Sequence, residues 1–146
     1  MNRRNFLGAA LATLVPGTAA AAARQKATTL ELGDRLWMVT GLGGNVVVFD
    51  SPEGVLLVDG GADGQAGELL KVVRMLTGKR EVHTLFNTHW HPEQTGSNEA
   101  LAATGAAIIA QENTKLWLST DVTWPWNGKR FKRLPKIAPF LRYDKD

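Results

Sequence analysis

The sequence predicts a single α/β domain, and three observations support that class. The chain has 146 residues, of which 44% are hydrophobic, and this size and composition suit one globular domain. β-Branched runs of strand length alternate with runs of helical period, as in layered α/β folds. The chain has no cysteine, which excludes disulfide scaffolds, thiolate zinc sites, cysteine nucleophiles and iron–sulfur clusters.

Residues 1–23 are predicted to be an export signal. Arg3 and Arg4 form a basic start, an uncharged stretch follows, and Ala21–Ala23 supply the small residues that signal cleavage requires. The arginine pair followed by Phe6-Leu7 resembles a twin-arginine signal, so the predicted location is the periplasm or the cell exterior. A membrane anchor is the alternative. The stretch is alanine-rich and interrupted by Pro and Gly, so no stable membrane span is expected.

The next part of the chain predicts two β-hairpins. Residues 36–40 alternate in side-chain character, as in a half-exposed strand, and two β-branched runs follow. Turn residues separate the strands of each hairpin. The predicted strands are Thr28–Leu32, Arg35–Thr40, Asn45–Asp50 and Gly54–Asp59.

The hydrophobic period then changes to that of a helix. Apolar residues from Ala66 to Leu76 recur at helical spacing and predict an amphipathic helix over Gln65–Leu76. In α/β folds, binding residues gather at the carboxyl ends of strands. The predicted elements that follow are a strand, a polar loop, a short helix, a strand and a helix, over Val82–Phe86, Asn87–Gln94, Gly96–Ala103, Ala106–Ala110 and Glu112–Ser119.

The three histidines of the chain, His83, His89 and His91, lie within nine positions of one another. In extended backbone, side chains at i and i+2 point the same way, so His89 and His91 can reach one metal ion. Glu93 adds a carboxylate two positions further on, and zinc uses ligands of both kinds. The alternative is that the two loop histidines are only polar surface residues. His83 lies too far along an extended strand and is expected to be a strand residue.

The surroundings of this tripeptide resemble the metallo-β-lactamase superfamily. The stretch Thr88–Gly96 resembles the family signature T-H-x-H-x-D-H-x-G, and Gly54–Gly61 resembles the family's strand ending in Asp-x-Gly. The resemblance covers residues 30–118. A complete fold of this family is a four-layer αββα sandwich of two similar halves. The resemblance therefore implies an α/β chain that forms the N-terminal half of such a sandwich and is apparently truncated.

The resemblance also implies metal ligands, one residue at a time. Thr88, His89 and His91 match the signature, so His89 and His91 would hold the first metal ion, which in this family is zinc. Glu93 stands where the family has Asp, and Gln94 where it has a second-site His, so one or two zinc ions are implied and the second site is doubtful. Glu93 would be the third ligand and the catalytic residue, completing a second site or orienting water.

Asp59 matches a family residue that supports the metal loop from a neighbouring strand. The alternative is a simple turn residue before Gly60. The family takes further ligands from its second half, whereas no histidine follows His91 in this chain. If one half of the sandwich is missing, the apolar runs 46–49 and 55–58 leave one sheet face uncovered. Self-association, or a missing half supplied by another chain, would cover that face.

Two functions follow from the resemblance. The first is a zinc-dependent hydrolase in which metal-bound hydroxide attacks an ester, thioester or lactam carbonyl of a small-molecule substrate. The second is a truncated, catalytically incomplete binding protein that lacks the second-half ligands. The absence of later histidines favours the second function for the chain as written and the first for its family.

The predicted organisation is an export signal (1–23), a half-domain (24–120) and a basic segment with Pro and Trp (121–146). Lys129–Asp146 holds seven basic and two acidic residues. Together with Trp124 and Trp126, this charge could mark a nucleic-acid or anionic surface. An exported protein seldom meets nucleic acid, so we expect a solvated connecting loop and no nucleic-acid partner.

Overall fold

The computed structural model describes residues 26–78, 80–132 and 140–143. The predicted export signal lies outside these ranges. Within them, no helix has the length and apolar character needed to cross a membrane. The strands are β1 (Thr28–Gly33), β2 (Leu36–Thr40), β3 (Val46–Ser51), β4 (Gly54–Val58), β5 (Val82–Asn87), β6 (Ala107–Gln111), β7 (Val122–Thr123), β8 (Arg130–Phe131) and β9 (Phe140–Tyr143). The helices are α1 (Ala66–Thr77), α2 (Pro92–Thr95), α3 (Asn98–Ala103) and α4 (Glu112–Leu118).

Seven strands form one mixed sheet in the order β1-β2-β3-β4-β5-β6-β9, and β7 pairs with β8 separately. The first four strands are antiparallel neighbours joined by short turns. From β4 onward the pairs are parallel, and each of these connections passes through a helix, as parallel pairing requires. The α/β class and the two predicted hairpins are therefore confirmed.

Two segments differ from their predicted structure. The polar loop predicted over Asn87–Gln94 is wrong at its end, because α2 begins at Pro92. Proline suits a first helical position, since its φ is preset and its missing N–H has no helical partner. Residues 121–146, for which no period was found, contain β7, β8 and β9, and β9 extends the sheet beside β6.

One face of the sheet carries the buried core. Alternate residues of β3 and β4 point to this face, and Val48 and Leu57 are completely buried there. Leu69 of α1 and Leu101 of α3 belong to the same apolar cluster. Burying each such side chain contributes about 1.5–3 kcal/mol, so this packing fixes the helices against the sheet.

The opposite face is also apolar, as predicted, but it is not buried to the same degree. Strand register aligns a row of apolar residues across six strands, and none of them is fully buried. The row consists of Leu30, Met38, Val47, Val58, Phe86 and Ile109. Leu30 is 54% exposed, and Phe49 on the same face is 37% exposed. This surface is named here the open sheet face.

Candidate metal centre

The candidate site lies where two parallel strands end. Asp59 directly follows β4, and Thr88 directly follows β5. Because these strands are parallel neighbours, their carboxyl ends meet at one edge of the sheet. The backbone N–H of Asp59 donates to Phe86 O over 2.7 Å, which ties the two strand ends together. Residues 88–97, named here the metal loop, start from this edge.

Asp59 supports the metal loop through Thr88. Its side chain is largely buried, and its backbone adopts a left-handed φ of 63°. The Thr88 backbone N–H donates to Asp59 Oδ1 over 2.9 Å, and the Thr88 hydroxyl donates to Oδ2 over 2.8 Å. A non-glycine residue in this conformation is uncommon, and these hydrogen bonds stabilise it. The structure therefore places Asp59 against the metal loop, as the resemblance implied.

The same contacts define the tautomer of His89. Thr88 Oγ1 lies 2.9 Å from His89 Nδ1. The single hydroxyl proton of Thr88 is already donated to the Asp59 carboxylate, so Oγ1 can only accept from His89. Nδ1 of His89 is therefore the donor in this contact, so in the neutral tautomer that it selects Nε2 carries the lone pair. Metal-ligating histidines are commonly oriented by such a hydrogen bond from the other ring nitrogen.

The structure brings His89 and His91 together, as their spacing predicts. Their ring centroids lie 4.7 Å apart in a T-shaped arrangement. Glu93 is close to the second ring, with 3.7 Å between His91 Nδ1 and Glu93 Oε1. His83 lies near the opposite end of β5, where its Nδ1 is 2.8 Å from Thr84 Oγ1. The roles of His89, His91 and Glu93 as ligands stay predictions, and His83 does not join them.

These donors fit zinc in kind but not in number. Two imidazoles and a carboxylate are ordinary zinc ligands. Across the described ranges, however, no three His, Asp or Glu side chains converge as a metal site would require. Gln94 adds a buried Oε1 atom that has no hydrogen-bond partner among the described residues. A buried acceptor of this kind is stabilised by a donor or a cation. The described residues therefore supply donors of the kind that zinc uses, but fewer of them than a closed site requires.

The metal loop is fastened to the end of β4 by backbone contacts. Gly60 N–H donates to Gln94 O over 2.6 Å, and Gly96 N–H donates to Gly61 O over 3.0 Å. The Ser97 hydroxyl also donates to Gly60 O. A Cβ on Gly96 would lie 2.1 Å from Asp63 N, so only glycine fits this close approach. The loop is held on its inner side by the chain that follows Asp59.

A pair of buried amides closes the loop at its two ends. Asn87 Nδ2 donates to Asn98 Oδ1 over 3.1 Å, and Asn98 Nδ2 donates to Asn87 Oδ1 over 2.6 Å. Asn87 is the last residue of β5 and Asn98 the first of α3, and their exposures are 2% and 0%. Sequence reasoning missed this pair, because nothing in the sequence signals which asparagines meet.

Aromatic rings pack on the outer side of the loop. Trp90 stacks on Trp117 of α4, with centroids 5.1 Å apart and planes 18° apart. Trp124 contacts the rings of His91 and Phe131 at centroid distances of 5.9 and 4.8 Å. The predicted solvated loop is therefore wrong for Trp124, because its apolar ring gains more from packing than from hydration. Its Nε1 is buried without an acceptor in the described part of the chain.

The fold and the site together define a class of protein. A mixed sheet with helices packed on one face carries a His-x-His loop at its carboxyl edge, supported by an Asp at the end of the neighbouring strand β4. This is the arrangement of the metallo-β-lactamase type. A family profile described as "Metallo-beta-lactamase superfamily" matches residues 39–145, and the chain belongs to this superfamily. The resemblance drawn from the sequence is thus confirmed.

Solved structures agree on the fold. A HARLDQ-motif mutant of a metallo-β-lactamase from Cronobacter sakazakii is 19% identical, with a TM-score of 0.64 over 80% of this chain and 47% of its own. MEM-A1, a subclass B3 enzyme from a soil metagenome, is 20% identical, with a TM-score of 0.68 over 83% and 47%. A B3 metallo-β-lactamase with an active-site glutamic acid is 20% identical, with a TM-score of 0.66 over 83% and 48%.

The chain spans about half the length of these structures. This share agrees with the predicted half of a sandwich, and the predicted fold class is confirmed. No curated protein matches the chain.

Proposed function

We propose that this chain carries the first-metal half of a zinc-dependent hydrolase that acts on an ester, thioester or lactam carbonyl. The single observation that carries the proposal is the hydrogen-bond chain from Asp59 through Thr88 to His89. These hydrogen bonds engage Nδ1 of His89 and leave its Nε2 available beside the ring of His91. Metal-ligating histidines almost always donate their other ring N–H to an oxygen acceptor in this way.

Each residue has a distinct part in this proposal. His89 and His91 hold the ion, and Glu93 is the third ligand or orients the attacking water. Zinc bound there would supply a Lewis acid and would activate water near neutral pH. Asp59 and Thr88 hold the His89 ring in one tautomer and orientation. Gln94 stands where a second zinc would need a histidine, so we propose one well-held ion, with the remaining ligands coming from a second half of the fold.

Descriptions of similar structures support an unusual ligand set. A second structure of the Cronobacter sakazakii protein is described by the unmutated HARLDQ motif. In this chain residues 89–94 are His-Trp-His-Pro-Glu-Gln, which shares the first His and the last Gln with that motif. Another similar structure is described as having an active-site glutamic acid. Departures from the common signature thus occur in proteins of this fold. We extend the proposal to export through the twin-arginine route, on the basis of Arg3 and Arg4.

A catalytically incomplete binding protein is the second candidate. It is favoured by the incomplete set of converging ligands among the described residues. The two candidates differ in one measurable property. The hydrolase, supplied with its second half, turns over a carbonyl substrate in a zinc-dependent way, whereas the binding protein does not.

Zinc titration by calorimetry tests the proposal. The chain should bind one zinc ion with a Kd on the order of micromolar, because two imidazoles and one carboxylate lack enclosing ligands. His89→Ala and His91→Ala should each abolish this binding. His83→Ala is the matched control, since His83 lies outside the loop, and it should bind as the parent does. A nanomolar site that survives His89→Ala would show that the ligands lie elsewhere.

A further inference from the structure

A cleft of about 670 Å³ lies on the outer side of the metal loop. It is lined by residues of the metal loop, of α3 and of the β7–β8 pair, and by Trp117 of α4. Small-molecule sites in proteins span roughly 300–1,000 Å³, so the cleft has the size of a ligand pocket. Neither the fold nor the ligand set of the metal centre requires it.

Stacked indoles give this cleft an apolar, flat surface. Trp90 and Trp117 both line it, and they are nearly parallel. Trp117 is 46% exposed although it is large and apolar. Tryptophan has only two side-chain torsions, and Trp117 is already held by stacking on Trp90. Little side-chain entropy is therefore lost when a ligand ring packs against Trp117. A planar apolar group would extend this stack.

The cleft carries charges of both signs. Lys129, Arg130 and Lys132 lie in or next to β8 and are named here the cationic wall. The ammonium group of Lys129 is 4.9 Å from the ring centroid of Phe131, and Arg130 pairs with Asp121 over 2.9 Å.

Carboxylates from Asp63, Glu93 and Glu99 line the cleft as well. A ligand carboxylate is attracted to the cationic residues and repelled by these carboxylates, which favours one orientation in the cleft.

We propose that the cleft binds a small molecule that combines a flat apolar ring with a carboxylate. The carboxylate lies at Lys129 and Lys132, and the ring packs on Trp117. The remainder of the molecule then extends toward Glu93, which lines both the cleft and the metal loop. This inference rests on the proposed function where it makes the ligand a substrate, and it thereby names an aromatic or planar carboxylate as the substrate class.

Calorimetry on the full chain without zinc tests the cleft with three probes. These are 4-phenylbutyrate, the neutral 4-phenylbutanol and hexanoate, which has no ring. The first probe should bind at least tenfold more tightly than either of the others. Trp117→Ala and Lys132→Gln should each weaken its binding at least fivefold. Lys71→Gln is the matched charge control, since Lys71 is an exposed residue of α1 that lines a different groove.

Several results would overturn the inference. Equal binding of 4-phenylbutyrate and 4-phenylbutanol would show that the cationic wall does not recognise the carboxylate. Weakening by Lys71→Gln but not by Lys132→Gln would move the ligand to the α1 groove. If Trp117→Ala fails to fold by circular dichroism, Trp117→Leu, which keeps an apolar side chain without the flat ring, must show the same loss.

The two proposals fail separately. His89→Ala should abolish zinc binding and leave 4-phenylbutyrate binding unchanged. If the chain binds zinc but not 4-phenylbutyrate, only the proposed ligand site in the cleft is refuted. If it binds 4-phenylbutyrate but not zinc, the ligand site stands and the proposed hydrolase is refuted.

Discussion

Removing one member of the buried amide pair should destabilise the whole domain. Asn98→Ala deletes two hydrogen bonds and leaves both the donor and the acceptor of the Asn87 amide buried without a partner. Each unpaired buried group costs about 1–3 kcal/mol. The expected loss in unfolding free energy is therefore about 2–6 kcal/mol, a large share of the roughly 5–15 kcal/mol of a typical domain. Urea unfolding followed by circular dichroism measures this loss.

A double-mutant cycle separates the pair from a general effect of truncation. After Asn98→Ala, the further change Asn87→Ala removes the amide that was left buried and unpaired, so the double variant should be at least as stable as either single variant. Asn113→Ala, at an exposed position of α4, is the control and should change stability by less than about 0.5 kcal/mol. Losses that simply add, or a loss for Asn98→Ala below about 1 kcal/mol, would refute the reasoning.

Three further predictions concern the loop, the signal and the sheet. Gly96→Ala should cost at least about 3 kcal/mol, because its Cβ would overlap the backbone at Asp63, whereas Gly67→Ala, with nothing within 4 Å, should be neutral or stabilising in urea unfolding. Replacing Arg3 and Arg4 by lysine should retain the precursor in the cytoplasm, and mature protein found outside the inner membrane by fractionation would argue for the general secretory route instead. The purified chain should self-associate in sedimentation and bind a dye for apolar surfaces. The reason is that leaving several hundred Å² of the open sheet face in water forfeits about 25 cal/mol of burial free energy per Å². A monomer with a sharp cooperative melt and no dye binding would contradict this.

Local patterns were sufficient to predict most of the elements. The β-branched runs predicted β3 and β4, and the apolar spacing predicted α1. These patterns depend only on residues within the same element, so they can be read from the sequence. The start of α2 at Pro92 was missed, since one turn of helix is too short to show a period. β9 was missed as well, because its strand state depends on pairing with the distant β6.

The candidate site was predictable in part for the same reason. His89, His91 and Glu93 lie on one loop, so their spacing alone brought them under consideration. The tautomer of His89 depends on Asp59, which lies 29 positions before Thr88. The family resemblance implied that Asp59 supports the loop, but no sequence pattern shows that the support passes through the Thr88 hydroxyl. The same limit applies to Trp117, whose place beside Trp90 follows from the crossover that returns α4 to the loop.

The two halves of the sheet differ in how far apart along the chain their paired residues lie. β1 to β4 join through tight turns, so their pairing closes short loops, whereas β5, β6 and β9 each pair only after a helical connection has folded back. Short closures cost less chain entropy and form sooner. We therefore expect the antiparallel meander, with Asp59 at its end, to be in place before the histidine loop arrives. Pulse-labelled hydrogen exchange that protected β5 as early as β3 would contradict this order. During synthesis, the Asp59 carboxylate would thus be exposed at the end of β4 before Thr88 can donate to it. The metal loop would be the last part of the centre to become ordered.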